Sequence, residues 1–220
     1  MTMPRGVRRL TPTVLLLLGL GSRAAYAQDS YGGQPLPAPA PSQPAPSTAP
    51  RPAPAPAGAA DLDQLMQVER QDFGVQPTAE LHTGAMHGPT PSSIPGGQVI
   101  TTKGLVALVA NQQLRALLFD VLGGPEVIPG ALAAAPASAA GSFSDRTQQE
   151  FGQFLQQMTQ GNKQMPLVFY CQSSHCWMSY NASLRAINMG FKNVLWYRGG
   201  IEAWKAGGQQ VQPAGQGGGQ

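Results

Sequence analysis

The sequence lacks most of the motifs from which common catalytic centres are built. Its 220 residues include only two cysteines and three histidines. No phosphate-binding Walker loop, dinucleotide-binding glycine fingerprint, usable serine–histidine–aspartate arrangement or internal repeat is present. These absences leave the two thiols as the groups that most directly suggest chemistry.

Excess positive charge is confined to the N-terminus. The formal net charge of +3 comes from 14 basic and 11 acidic residues, and the sequence pI is about 9.1. Residues 1–27 hold four of the basic residues and no acid, so 10 basic and 11 acidic residues remain in the rest of the chain, a net charge of −1. The high pI therefore gives no support for nucleic-acid binding, and we expect no nucleic-acid partner.

Residues 1–27 have the pattern of a secretory signal peptide. A basic head at residues 5–9 precedes a short apolar run at 14–20, and "AYA" at 25–27 supplies small residues for cleavage before Gln28. The apolar run is too short to span a bilayer. We therefore expect a periplasmic protein that is not membrane-spanning after cleavage, with an uncleaved anchor as the alternative. In that oxidising compartment, two thiols either pair or react.

The rest of the chain divides by composition. Pro and Ala dominate residues 35–60, which carry one charge and favour an extended tether. The predicted organisation is a signal peptide at 1–27, a disordered Pro/Ala-rich linker at 28–60, a helix and lead-in loop at 61–96, the main domain at 97–208 and a disordered tail at 209–220.

Within the folded part, short apolar runs alternate with helical patterns. The predicted strands are 98–102, 115–121, 165–171 and 192–197. The predicted helices are 61–73, 103–113, 144–160, 177–190 and 200–207, with caps from Asp61, Thr102 and either Ser144 or Asp145, and a stop at Gly190. Residues 123–132 are rich in turn formers and are predicted to be a loop. This alternation predicts an α/β fold with a central parallel sheet and helices on both faces.

Cys171 ends an apolar strand and precedes a helix. In parallel α/β sheets, ligands bind beyond the carboxyl ends of the strands. The position of Cys171 therefore marks it as a candidate functional residue independently of any family.

Four segments make the sequence resemble a rhodanese-like, sulfurtransferase-type domain. They are "LLFDV" at 117–121, "VIPGAL" at 127–132, "VFYC" at 168–171 and "GFKNVLWYRGGIEAW" at 190–204. The resemblance covers about residues 97–208. It implies a rhodanese-like fold and a loop cysteine that holds a sulfane sulfur as a persulfide, taken from thiosulfate or another sulfane-sulfur donor and passed to an acceptor.

A narrower resemblance is suggested by the signal peptide, the lead-in "PTPSSIPGG" and "FYC…CWMSYNA". The sequence is similar to exported rhodanese-like proteins with a cysteine–cysteine–tryptophan motif that are associated with PQQ-dependent alcohol catabolism. The implied partners are a small sulfur donor or acceptor and a periplasmic dehydrogenase or cytochrome.

The resemblance makes Cys171 the catalytic nucleophile. Backbone N–H groups of a tight loop can form an anion cradle that lowers a thiol pKa, and Gln172, Ser173 and Ser174 suit such a loop. A protonated His175 would help to stabilise the thiolate. Trp177, also in the substrate-binding loop, would form one wall of the pocket. Supporting roles are predicted for Asp120, at a strand end, and for Arg198, which could replace a loop cation, because residues 172–177 contain no lysine or arginine.

Cys176 leaves several interpretations open. It could resolve a persulfide on Cys171, form a redox-active disulfide with it, or staple the loop of a noncatalytic binding module. A metal site formed by Cys171, His175 and Cys176 with His82 or His87 matches no standard zinc spacing. We therefore predict neither a metal nor another cofactor.

Overall fold

The computed structural model describes residues 60–111 and 113–215. The helices are α1 (Leu62–Glu69), α2 (Thr102–Ala110), a 3-10 helix (Ala135–Ser138), α3 (Arg146–Thr159), α4 (Met178–Asn188) and α5 (Gly200–Ala206). The strands are β1 (Gln98–Ile100), β2 (Leu117–Asp120), β3 (Glu126–Val127), β4 (Leu132–Ala133), β5 (Leu167–Tyr170), β6 (Val194–Tyr197) and β7 (Gln212–Pro213). The predicted signal peptide and almost all of the predicted linker lie outside the described residues.

The central sheet has five parallel strands in the order β1-β6-β5-β2-β4. In the middle of the sheet, Phe119 pairs with Phe169, and Phe169 pairs with Trp196. All four residues of β5 are buried, as is typical of a parallel strand covered on both faces. A second, two-stranded antiparallel sheet joins β3 to β7.

Helices cover both faces of the sheet, as predicted. Leu167 and Phe169 of β5 lie in one core with residues of α3 and α4, whereas Val168 and Tyr170 lie in another with residues of α2 and α5. Because successive strand side chains point to opposite faces, one apolar run supplies both cores. The parallel α/β fold is therefore confirmed. Among the described helices, none is long and apolar enough to cross a membrane.

Several predicted boundaries were wrong. Thr101, not Thr102, caps α2, because its side chain accepts a hydrogen bond from the N–H of Gly104. Helix α1 ends at Glu69, four residues before the predicted end, and Phe73 lies outside it. The predicted loop 123–132 contains β3 and the first residue of β4, two-residue strands too short to leave a periodic pattern.

Asp145 and Arg185 connect the start of α3 to α4. The carboxylate of Asp145 accepts from the N–H of Gln148, so of the two predicted caps Asp145 is the one that forms this bond. It also accepts two hydrogen bonds from Arg185, each 2.9 Å long. These bonds hold the pKa of Asp145 well below its usual range. Arg185 is fully buried and also donates to the carbonyls of Ala139 and Ser142.

Candidate active site

Both cysteines lie in one loop at the carboxyl edge of the sheet. Cys171 directly follows β5, and Cys176 precedes α4, so we call residues 171–177 the cysteine loop. The two residues form a disulfide with a Cα–Cα separation of 6.4 Å. Each cysteine is only 1% exposed. The disulfide, one of the alternatives that the sequence left open, is thus present, and the pair is shielded from solvent.

Helix α5 fixes the start of the cysteine loop. The N–H groups of Ile201 and Glu202 donate to the carbonyls of Cys171 and Gln172, each at 3.0 Å. Gly200 makes this approach possible, because its φ is +64° and a Cβ there would overlap both carbonyl oxygens. The "RGG" of the sequence therefore positions Cys171 through backbone contact. The side chain of Gln172 adds a 2.7 Å hydrogen bond to Glu202.

The segment between α1 and β1, residues 70–97, lies against the cysteine loop, and we call it the lead-in segment. The N–H of Gly88 donates to the carbonyl of His175 at 2.7 Å, and the N–H of Trp177 donates to the carbonyl of Met86 at 2.9 Å. These bonds form an antiparallel bridge between His87 and Cys176. The lead-in segment thus covers the half of the loop that contains Cys176.

Aromatic contacts extend this cover. The ring of His82 stacks on Trp177 with centroids 4.1 Å apart, and the ring of Phe73 lies 4.7 Å from that of His175. His175 is exposed at the surface, whereas Trp177 is buried. Trp177 therefore forms part of the contact with the lead-in segment as well as part of the loop.

Arg198 anchors the lead-in segment by hydrogen bonds to its backbone. It is 1% exposed, and its guanidinium donates to the carbonyls of Glu69, Gln71 and Thr90 and to the Thr90 hydroxyl. It also lies 4.8 Å above the ring of Phe73. Burial lowers its pKa. Because its N–H groups donate to these acceptors, Arg198 is better placed to hold the lead-in segment than to bind an anionic substrate.

Asp120 lies at the carboxyl end of β2, on the same edge of the sheet as the cysteine loop. Its two carboxylate oxygens accept hydrogen bonds from the N–H groups of Leu122 and Gly123. Burial raises its pKa. These contacts give Asp120 a role in shaping the turn after β2, and in the described residues it makes no hydrogen bond to the cysteine loop.

A cleft of about 220 Å³ opens beside the cysteine loop. Its lining residues are Leu65, Val68, Glu69, Ser173, Ser174, Gly199, Glu202, Ala203 and Ala206. The lining is largely apolar, holds two acidic residues and contains no lysine or arginine, so it offers no counter-charge to a small dianion. Within the described ranges, no cluster of three or more His, Cys, Asp or Glu side chains is arranged to hold a metal.

The sulfur of Cys171 has one side-chain donor that the sequence analysis missed. The Ser179 hydroxyl donates to this sulfur at 3.4 Å, and the indole N–H of Trp196 donates to the Ser179 oxygen at 3.0 Å. In this disulfide form no backbone N–H of the described residues donates to the Cys171 sulfur. The sequence feature that could have identified Ser179 is its position in the first turn of the helix that follows the cysteine loop.

Comparison with known protein families agrees with this architecture. Residues 105–207 match the family described as Rhodanese-like domain. No curated protein matches the chain significantly. The matched residues include the cysteine loop and all four segments that suggested the resemblance. The chain therefore contains a rhodanese-like domain at residues 105–207, which indicates a sulfur-transfer or sulfur-carrier kind of function.

Proposed function

We propose that this chain is a sulfur carrier in which Cys171 takes up a sulfane sulfur and Cys176 expels it. The observation that supports the proposal most strongly is the disulfide between these residues at the carboxyl edge of a rhodanese-like sheet. A disulfide at this position is the product expected when a second cysteine attacks a persulfide on the first. The two sulfurs are therefore close enough for the thiolate of Cys176 to attack a persulfide on Cys171 within one loop.

The proposed reaction has two balanced steps. The Cys171 thiolate attacks the outer sulfur of an organic persulfide, R–S–SH, forming Cys171–S–SH and releasing R–S⁻. The Cys176 thiolate then attacks the inner sulfur, forming the Cys171–Cys176 disulfide and releasing HS⁻. A dithiol reductant supplies two electrons and two protons, becomes a disulfide itself and restores both thiols.

The cleft favours a donor without a strong negative charge. Its lining combines apolar side chains with Glu69 and Glu202 and has no basic residue. Arg198, the nearby buried cation, binds the lead-in segment. We therefore propose organic persulfides as donors in preference to thiosulfate or inorganic polysulfide, each of which carries two negative charges.

Location and physiology extend this proposal. The signal-like N-terminus supports an exported, periplasmic carrier, and the likeness to cysteine–cysteine–tryptophan proteins supports work beside a PQQ-dependent dehydrogenase or its cytochrome. Export is tested by N-terminal sequencing of the protein from a periplasmic extract. A mature chain that begins at Gln28 supports the proposal, and an uncleaved chain in the cytoplasm contradicts it.

Intact mass spectrometry tests the sulfur chemistry. Reduced wild type, Cys171→Ser and Cys176→Ser are incubated with a small organic persulfide or with thiosulfate. We expect Cys176→Ser to gain one sulfur atom, which cyanide removes. Wild type should return to the disulfide, and Cys171→Ser should gain sulfur far more slowly than Cys176→Ser. Failure of Cys176→Ser to gain sulfur from either donor would overturn the proposal.

The same disulfide also supports a second candidate, thiol–disulfide exchange without sulfur transfer. Under that function, reduced wild type loses two hydrogens when mixed with glutathione disulfide, and neither serine variant takes up sulfane sulfur. The two candidates therefore differ in one result, the sulfur content of Cys176→Ser.

A further inference from the structure

The buried side chain that contacts the Cys171 sulfur lies on the helix after the cysteine loop. The Ser179 hydroxyl is 3.4 Å from the sulfur, and Ser179 is 1% exposed. Cys171 is equally buried, and Trp196 is fully buried. At this depth, little water competes with the hydroxyl for the sulfur.

The direction of the Ser179 hydrogen bond follows from the chemistry of tryptophan. An indole N–H can only donate, so the Ser179 oxygen must accept the 3.0 Å bond from Trp196. The hydroxyl has one proton of its own, which is then free to point towards another acceptor. The Cys171 sulfur is the acceptor found within reach in the described residues. The chain of donors thus runs from Trp196 to Ser179 to Cys171.

Packing holds this arrangement in place. Trp196 lies on β6, and its ring meets that of Tyr180 edge to face with centroids 5.0 Å apart. The Tyr180 hydroxyl is in turn bonded to the backbone of Thr78. Ser179 is in the first turn of α4, directly after the cysteine loop. The indole and the hydroxyl are therefore fixed by separate elements of the fold.

We infer that Ser179, oriented by Trp196, is a positioning residue that stabilises a negative charge on the Cys171 sulfur. The inference rests on the proposed function, because it concerns the same sulfur in its reduced and persulfide states. A hydrogen bond to an ionised acceptor is roughly twice as strong as one to a neutral acceptor, so the Ser179 bond strengthens when the disulfide opens to a thiolate. It would stabilise the thiolate as the backbone N–H groups of a tight loop were expected to do.

The test measures the pKa of Cys171 without any sulfur donor. The parent protein is reduced Cys176→Ser, so that Cys171 is the one remaining thiol, and its pKa is read from thiolate absorbance against pH. Ser179→Ala in this background should raise the pKa of Cys171 by about one unit, as expected for loss of one charge-assisted hydrogen bond. Ser179→Thr, which keeps a hydroxyl, should restore the parent value.

Two further variants control for packing. Ser183→Ala removes another buried serine hydroxyl of α4, one that bonds to the Ser179 carbonyl and not to the sulfur, and should leave the pKa of Cys171 unchanged. Trp196→Phe removes the indole N–H and should give a smaller rise than Ser179→Ala. Thermal melting shows that each variant is folded, and Trp196→Phe decides the matter if Ser179→Ala does not fold.

An unchanged pKa of Cys171 in the folded Ser179→Ala variant would overturn this inference, as would an equal rise in Ser183→Ala. The result is separable from the proposed function. Uptake of sulfur by Cys176→Ser with no pKa effect of Ser179 contradicts the inference alone. A pKa effect without sulfur uptake contradicts the proposed function and leaves Ser179 positioning a thiolate for disulfide exchange.

Discussion

The hydroxyl of Thr90 donates a 2.6 Å hydrogen bond to the carbonyl of Ser174, which ties the lead-in segment to the cysteine loop. The Thr90 oxygen also accepts a 3.1 Å bond from Arg198. One fully buried side chain therefore links the loop, the segment that covers it and the cation that anchors the cover. This arrangement predicts that access to the disulfide depends on Thr90.

Thr90→Val should speed reduction of the disulfide. Valine has nearly the same shape but neither donates to Ser174 nor accepts from Arg198. Loss of these bonds should lower the free energy of local opening by about 1 to 2 kcal/mol and raise the rate of reduction by dithiothreitol roughly tenfold. The rate is followed by alkylation of the released thiols and mass spectrometry.

Ser92→Ala is the matched control, because Ser92 is exposed on the same segment. It should reduce at the wild-type rate. Equal reduction rates for Thr90→Val and wild type would show that the lead-in segment does not limit access.

Gly200→Ala should disrupt the cysteine loop. A Cβ at this position would overlap the carbonyl oxygens of Cys171 and Gln172, which are backbone atoms that cannot move aside cheaply. Gly130 also has a positive φ, +79°, but a Cβ there has open space. Gly130→Ala should therefore cost only the backbone strain, about 1 kcal/mol, and Gly200→Ala at least about 3 kcal/mol.

Urea denaturation of the two alanine variants measures this difference. Gly200→Ala should also slow re-formation of the disulfide after reduction, whereas Gly130→Ala should not. Similar losses of stability in both variants would mean that the close contact between α5 and the cysteine loop contributes little to the stability of the fold.

The two-residue strands β3, β4 and β7 could not be predicted from the sequence, and β7 lies in the predicted disordered tail 209–220. The order of the α-helices and of the four longer strands could be predicted because each of these strands lies in a run of apolar or β-branched residues. Cys171 could be placed at the sheet edge for the same reason. The contacts made by residues 70–97 could not, because a loop rich in turn formers has no periodicity and its hydrogen bonds join residues far apart in the sequence. Thr90 and Ser174 are an example, 84 residues apart.

The role of Arg198 shows a second limit of the sequence. A lone arginine beside the glycine pair was a reasonable candidate for a substrate-binding cation. Its direction depends on tertiary contacts, and in the structure it is buried under the lead-in segment. Ser179 was overlooked for the opposite reason, since a serine in the first turn of a helix is commonplace.

Asp145→Asn should make the protein less stable at neutral pH. The asparagine keeps an N-cap for α3 but leaves the buried Arg185 guanidinium without its carboxylate, a loss of about 2 kcal/mol. Because the native pKa of Asp145 is depressed, its contribution is complete above the ordinary value of 3.8 and is lost as the pH falls towards the native pKa. The gap between wild type and variant should therefore narrow on acidification.

Urea denaturation at neutral pH and at about pH 3 measures the narrowing. The control is Glu150→Gln, which breaks the exposed pair of Glu150 with Arg146 and should change stability by less than about 0.5 kcal/mol. A gap that stays constant between the two pH values would contradict the assigned ion pair.

Glu69 should have the opposite pH dependence. It is a buried carboxylate at the end of α1 that accepts hydrogen bonds from the N–H and hydroxyl of Thr102. Burial raises its pKa. A raised native pKa contributes stability that is fully present below the ordinary value and is lost as the pH rises through the native pKa. Glu69→Gln removes this titration, so the stability of this variant relative to wild type should increase as the pH rises from the ordinary value of 4.5 to neutrality.

The measurement is the free energy of unfolding of both proteins across that pH range. Glu80→Gln, on an exposed turn, is the control and should follow wild type throughout. A constant difference between Glu69→Gln and wild type would show that Glu69 does not titrate with a raised pKa in the folded protein.

The most direct test of the proposed sulfur chemistry is the stoichiometry of sulfide release during one turnover. Reduced wild type and reduced Cys176→Ser are each mixed with a small organic persulfide, and released sulfide and protein mass are measured together. We expect about one sulfide to be released for each disulfide formed in wild type. In Cys176→Ser we expect a persulfide on Cys171 and no matching release of sulfide. Disulfide formation in wild type without sulfide, together with no added sulfur on Cys176→Ser, would contradict the claim that Cys171 carries sulfur.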